Sequence, residues 1–163
     1  MLDLEQAPGS LLRPPMELIR PGSQVELRMI SEPGQLGEVQ SVLKGVWGGT
    51  FEWIHARLGS HLAIPGYLYV TACFVEGQAA SVGCVYFHSG SPFANLYGGE
   101  TLPEYRGRGL YTALLAARAQ EVLRRGCRYL TIDDGPMSAP IVVRHGFQLL
   151  THAWDCDWEP EGG

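Results

Sequence analysis

The chain has 163 residues, 45% apolar and 18% charged, enough for one ordinary domain with a buried core. Its formal charge is −5 and Lys44 is its single lysine, so the basic surface of a nucleic-acid binder is missing and nucleic acid is excluded as an expected partner. No apolar run approaches the roughly 20 residues of a membrane-spanning helix, and the start, with Asp3, Glu5, Pro8, Pro14, Pro15 and Pro21, does not read as a signal peptide; a cytoplasmic protein without a membrane partner is expected.

Residues 1–23 combine Pro, Gly and Ser with scattered leucines and read as a poorly structured arm able to pack on the domain. Gln24 to Ile30 alternates polar and apolar side chains, the period of a half-buried strand. Ser31-Glu32-Pro33 supplies a cap and a first-turn proline. Leu36, Val39, Val42, Leu43 and Val46 then recur at helical spacing until Gly48-Gly49. Phe51, Trp53, Ile54, Leu58 and Leu62 predict a second helix, and Trp47 and Trp53 read as core, with the lining of a substrate cleft as the alternative.

From Tyr67 the composition turns β-branched and aromatic. Tyr67 to Val75 and Ala80 to Phe87 form a hairpin around Glu76-Gly77-Gln78, and the turn His88 to Pro92 leads into a third strand, Phe93 to Thr101. Gly98-Gly99 inside that strand marks a bulge or a close approach to the backbone. A helix follows Pro103. Leu110, Leu114 and Ala117, extended by Tyr111, Leu115, Ala119 and Val122, form its apolar stripe, with Arg118, Glu121 and Arg125 on the opposite side and Gly126 closing it. Arg128 to Ile132 is a strand, Ser138 caps a short helix reaching Gly146, and Phe147 to Trp154 is a last strand whose exposed edge would permit a homodimer.

The expected organisation is an arm (1–23), one domain (24–158) and a tail (159–163). The expected fold is α/β in layers (α+β): a mixed, largely antiparallel central sheet with helices on both faces. Cys73, Cys84, Cys127 and Cys156 contain no Cys-x-x-Cys pair and read as buried free thiols, and the histidines lack His-x-x-x-His spacing, so no metal is expected.

The chemistry concentrates where the third strand runs into Arg106-Gly107-Arg108-Gly109 and then a helix. The first N–H groups of a helix have no acceptor in a preceding turn, the glycines let backbone approach a ligand, and the arginines add charge. That is an anion site. A flexible surface turn is the plain alternative. A dinucleotide site is disfavoured because Thr112 stands at the third-glycine position, and a P-loop is excluded because Gly-Lys-Ser and Gly-Lys-Thr do not occur.

Arg106-Gly107-Arg108-Gly109-Leu110-Tyr111 resembles the Gcn5-related N-acetyltransferase loop, written Arg/Gln-x-x-Gly-x-Gly/Ala, with Tyr111 in place of the last small residue. Ser138 to Phe147 is similar to the helix and Gly-Phe ending that follow in that family. The resemblance implies acetyl-CoA as co-substrate: the backbone of Thr101 and Leu102 would pair with pantetheine, and Arg106, Gly107, Arg108, Gly109, Leu110, Tyr111 and Thr112 would hold the pyrophosphate. Glu100 would be the base for a small-molecule or protein amine, its alternative being a solvent-facing strand carboxylate. Val142 stands where the family often has the tyrosine that protonates the leaving thiolate, so Tyr111 or solvent would serve. Gly135 stands where asparagine is common, and Tyr97, Asp133, Asp134 or His145 could serve the substrate side. The competing function is an acyl-CoA-binding module without turnover.

Overall fold

The computed structural model describes residues 1–22, 24–154, 156 and 158; the expected tail, 159–163, lies outside the described residues. The central meander consists of β2 (Val25–Ile30), β3 (Leu68–Val75), β4 (Gln78–Phe87) and β5 (Phe93–Thr101), each antiparallel to the next. A parallel neighbour requires a crossover, which α4 (Leu110–Arg124) provides between β5 and β6 (Tyr129–Ile132). With β1 (Leu2–Asp3) on the far edge, the sheet order is β1-β6-β5-β4-β3-β2.

The alternation along β4 shows how the core divides. Val82, Cys84 and Tyr86 face α2 (Leu36–Trp47) and α3 (Trp53–Leu62), joining Val39, Val42, Ile54 and Leu58; Val85 and Phe87 face α4 and α5 (Ala139–Arg144), joining Leu115, Ala119 and Val142. Helices therefore cover both faces, as the periodicities predict. Glu32 and Gln35 cap the turn before α2 reciprocally, and Gly48, with φ 71°, ends that helix.

The structure corrects five expectations. The arm is folded: Leu2 and Asp3 pair with Leu130 and Tyr129, and α1 (Gly9–Leu12) with the turn Pro15–Leu18 lies on α4, burying Leu2, Leu4 and Leu11. Phe147 to Trp154 forms no strand. The arm already occupies the free edge of β6, Gln148 exchanges both backbone hydrogen bonds with Met1, and Leu149 and Leu150 are left exposed. The edge on which a homodimer was to be built is therefore absent from 147–154. Arg118 is completely buried instead of solvated, because its side chain turns toward the sheet, into the space beside Gly83 and Gly99; the arm packs on α4 as well, and the whole run Ala113 to Ala119 is buried. Ser138 occupies the N-cap position of α5, but its hydroxyl donates to the Gly135 carbonyl and caps nothing. The four cysteines are free; Cys73 and Cys84 are buried, Cys127 is half-buried and Cys156 is exposed, so burial holds for only part of the set.

Candidate active site

The parallel pairing of β5 with β6 runs only from Phe93↔Tyr129 to Leu96↔Ile132, after which β6 ends. Tyr97 to Thr101 therefore have β4 on one side and no strand on the other. Pairing with β4 passes from Cys84↔Tyr97 to Val82↔Glu100, which places an extra β5 residue at Gly98-Gly99, with Gly98 at φ +57°. The bulge predicted from those glycines is present. Beyond it, the Leu102 N–H donates to the Ala80 carbonyl at 2.9 Å and the Leu102 carbonyl accepts from Tyr105 at 2.9 Å, so neither group is left for a ligand. By strand alternation the N–H and carbonyl of Thr101 turn toward the open edge, where the carbonyl accepts from Arg106 Nε at 3.1 Å.

After a single turn at Pro103–Tyr105, Gly107 and Gly109 take left-handed conformations, φ +73° and +90°, and α4 begins. The N–H groups from Gly107 through Thr112 donate to no acceptor among the described residues, and the first turn of α4 carries no carboxylate. Space beside Gly107 is open. Leu110 is buried and anchors the helix, so only its backbone can serve the site. Arg106 and Arg108 are exposed on either side of the loop; Arg108 is steadied by the Glu104 carbonyl at 3.2 Å and by the Tyr105 ring 5.0 Å below its guanidinium carbon. Orphan donors, a glycine cradle and flanking guanidiniums fit a diphosphate.

On the α2 face of the bulge stands Glu100, half-buried, its carbonyl held by the Ser81 hydroxyl at 2.7 Å. Burial lifts its carboxyl above the usual carboxylate value, against the pull of the Trp47 indole N–H and the Arg106 guanidinium. On the α4 face the Tyr111 ring lies against Gly99, where a Cβ would come within 3.0 Å of its Cε2. Burial raises the Tyr111 phenol, with Arg118 pulling hardest the other way and the Ser138 hydroxyl beside it.

Arg118 is the residue that sequence reasoning missed. Its Nε donates to the Leu114 carbonyl at 3.1 Å, its Nη1 reaches the Cys84 carbonyl at 3.5 Å, and its buried Nη2 has no partner. The guanidinium fits because Gly83 and Gly99 lack side chains: a Cβ on Gly83 would lie 2.8 Å from it and one on Gly99 3.4 Å. No carboxylate offsets this charge among the described residues. The sequence signal was the alanine-rich run Ala113, Ala116, Ala117 and Ala119, the mark of a helix approached on several sides.

The remaining candidates separate. Tyr97 lines a cavity on the Glu100 side. Asp133 and Asp134 are exposed after β6, and His145 lies against Ser10 of the arm, 3.2 Å from its hydroxyl. Val142, on α5, is buried in the core with Leu115 and Ala119.

The model of the Acetyltransferase (GNAT) family matches residues 39–147, a span that includes the open strand edge, the bulge and the glycine turn. The chain belongs to the GNAT acetyltransferase family. The match stops short of the N-terminal arm and β2. No curated protein sequence matches the chain. Among solved structures it is similar to the aminoglycoside N-acetyltransferase AAC(6')-Iy bound to a CoA-containing bisubstrate analogue, at 22% identity and TM-score 0.68, over 85% of this chain and 100% of that one. An acetyltransferase from Clostridium acetobutylicum with acetyl-CoA shares 15% identity at TM-score 0.69, covering 82% and 96%. Glucosamine-6-phosphate N-acetyltransferase from Arabidopsis thaliana shares 14% identity at TM-score 0.68, covering 83% and 99%. At such identities the likeness establishes the GNAT fold: a mixed, mostly antiparallel sheet between helices.

Proposed function

We propose that this GNAT protein is an N-acetyltransferase that moves the acetyl group of acetyl-CoA to a primary amine by direct attack in a ternary complex. The observation that carries the reading is the run of unpaired N–H groups, Gly107 to Thr112, beside an open strand edge that ends at a half-buried carboxylate, Glu100. Acetyl-CoA supplies an acyl carbon already activated toward amines. The loop N–H groups hold its diphosphate, with Arg106 and Arg108 adding charge, and the edge of β5 at Gly99 and Thr101 receives the pantetheine in place of a strand.

Glu100 takes the proton of the attacking amine, and its raised carboxyl value brings it closer to working pH as a base. The N–C bond forms as the C–S bond breaks, and we assign the Tyr111 phenol as the group that returns a proton to the thiolate, since Val142 is in the core. Arg118, beneath the bulge and beside Tyr111, adds positive charge where negative charge develops.

Calorimetric titration with acetyl-CoA, on wild type and on Gly107→Glu, is the decisive test. Binding that Gly107→Glu abolishes while remaining folded supports the loop; absence of binding to folded wild type overturns the reading. Binding with no turnover of any amine would instead favour the acyl-CoA-binding module, for which the core position of Val142 is the motivating observation.

A further inference from the structure

The class of acceptor can be read from the cavity on the α2/α3 side of the sheet, an inference that rests on the acetyltransferase reading. The cavity measures ≈ 480 Å³, within the range of small-molecule sites. Its floor is the bulge, through Val82 and Gly98, and its walls include Trp47 from the end of α2 and Trp53 from α3. Val82 pairs with Glu100, and the Trp47 indole pulls on the Glu100 carboxyl, so two of the lining residues neighbour the proposed base.

Its chemistry is one-sided. Arg57 is the only charged side chain among the described residues lining it, and Arg57 makes no ion pair among the described residues. The guanidinium carbon stands 5.6 Å from the Trp53 ring centroid, and its charge is felt by the Tyr86 phenol and the Cys84 thiol inside. Trp47 is 65% exposed, Trp53 52% and Tyr97 47%, so the large rings lining the cavity keep about half of their surface or more open to solvent. Tyr97 is held in place edge-on against Tyr86, with centroids 5.4 Å apart. Aromatic faces around an apolar hollow, with one free guanidinium, match a flat apolar body bearing an anion.

We propose that the acceptor is a primary amine on an aromatic or bulky apolar body that also carries a carboxylate: the body enters between Trp47, Trp53 and Tyr97, the carboxylate meets Arg57, and the amine faces Glu100. A polycationic amine is disfavoured. It would lose hydration in an apolar cavity whose one charged lining residue among the described residues, Arg57, repels it.

The test compares glycyl-L-tryptophan, L-tryptophan, tryptamine, spermidine and an aminoglycoside as acceptors with acetyl-CoA, in wild type and Arg57→Gln. Aromatic amines should exceed spermidine and the aminoglycoside in kcat/KM by about 10-fold or more, as burial of a ring provides. A carboxylate-bearing acceptor should exceed tryptamine, and Arg57→Gln should shrink that ratio by about 10-fold. Indole-3-propionate has ring and carboxylate but no amine, so its binding, followed by tryptophan fluorescence with CoA present, tests the cavity without turnover. It should bind wild type and weaken by about 10-fold in Arg57→Gln. Failure of indole-3-propionate to bind, or acetylation of polycations in preference to aromatic amines, overturns this acceptor class while leaving the acetyltransferase reading intact. Failure of acetyl-CoA to bind overturns both.

Discussion

Gly107 and Gly109 stand two residues apart in one loop, both left-handed, and Ala at each should have different consequences. At Gly107, φ is +73° and nothing lies within 4 Å of a built Cβ. Gly107→Ala therefore bears only the left-handed backbone penalty, about 1–2 kcal/mol. At Gly109, φ is +90° and a Cβ would sit 2.2 Å from the Leu18 carbonyl oxygen and 3.2 Å from the Ile19 Cα, all backbone atoms of the arm. The arm must move. Its movement strains the bond from the Arg20 N–H to the Arg108 carbonyl, 2.9 Å, and the packing of Pro15–Leu18 on α4. With backbone penalty and overpacking together, Gly109→Ala should cost about 2–4 kcal/mol. For a chain of this size that is a fall in Tm of about 4–16 °C, against about 2–8 °C for Gly107→Ala. Thermal unfolding of the two variants side by side measures the difference. Equal losses, or a larger loss at Gly107, would refute the packing of the arm on the loop.

Two further expectations concern charge. Because burial raises the Glu100 carboxyl, the acid limb of kcat/KM should lie above the usual carboxylate value, with activity increasing as pH rises through it. Glu100→Gln should lower kcat about 10²-fold or more while acetyl-CoA affinity stays, and a variant with unchanged kcat removes Glu100 from the mechanism. The same shift has a stability consequence: the protonated carboxyl is the one the fold favours, so stability present below the ordinary carboxylate pKa is lost as pH rises through the raised one. Glu100→Gln should therefore gain Tm over wild type at pH 8 but not at pH 4, and a gain of equal size at both would contradict the burial. Arg118→Met replaces a buried cation lacking a carboxylate with an apolar chain of similar length, so Tm should hold or rise while kcat falls about 10-fold or more. A large loss of Tm would show instead that the guanidinium holds the core together.

Segments whose partners are neighbours in sequence were legible directly. The hairpin and meander from Leu68 to Thr101 follow from alternation and turn residues, and β5 runs over the expected Phe93 to Thr101. The Gly98-Gly99 bulge and the loop from Arg106 to Thr112 were equally readable, since a glycine pair inside a strand and a glycine turn before a helix are local patterns with local causes. What the sequence alone determined is therefore the order of elements from β2 to α5 and the loop that carries the resemblance to acetyltransferases.

Tertiary structure decided whatever depends on which distant segment arrives at a given surface. Leu2 reaches Leu130 across most of the chain and takes the edge of β6, so a segment with the pattern of a strand, Phe147 to Trp154, has no edge to join. A strand pattern states only that a segment can pair; an edge accepts one partner. Packing of α4 on the sheet turns Arg118 from a predicted surface residue into a buried cation beneath the bulge, in a space left by Gly83 and Gly99 from two different strands. The aromatic cavity beside Glu100 likewise draws on α2, α3, β4 and β5 together. Periodicity assigns each side chain to a face of its own element, but burial, charge compensation and the shape of a cavity belong to pairs of elements, and those pairings are set only when the chain packs.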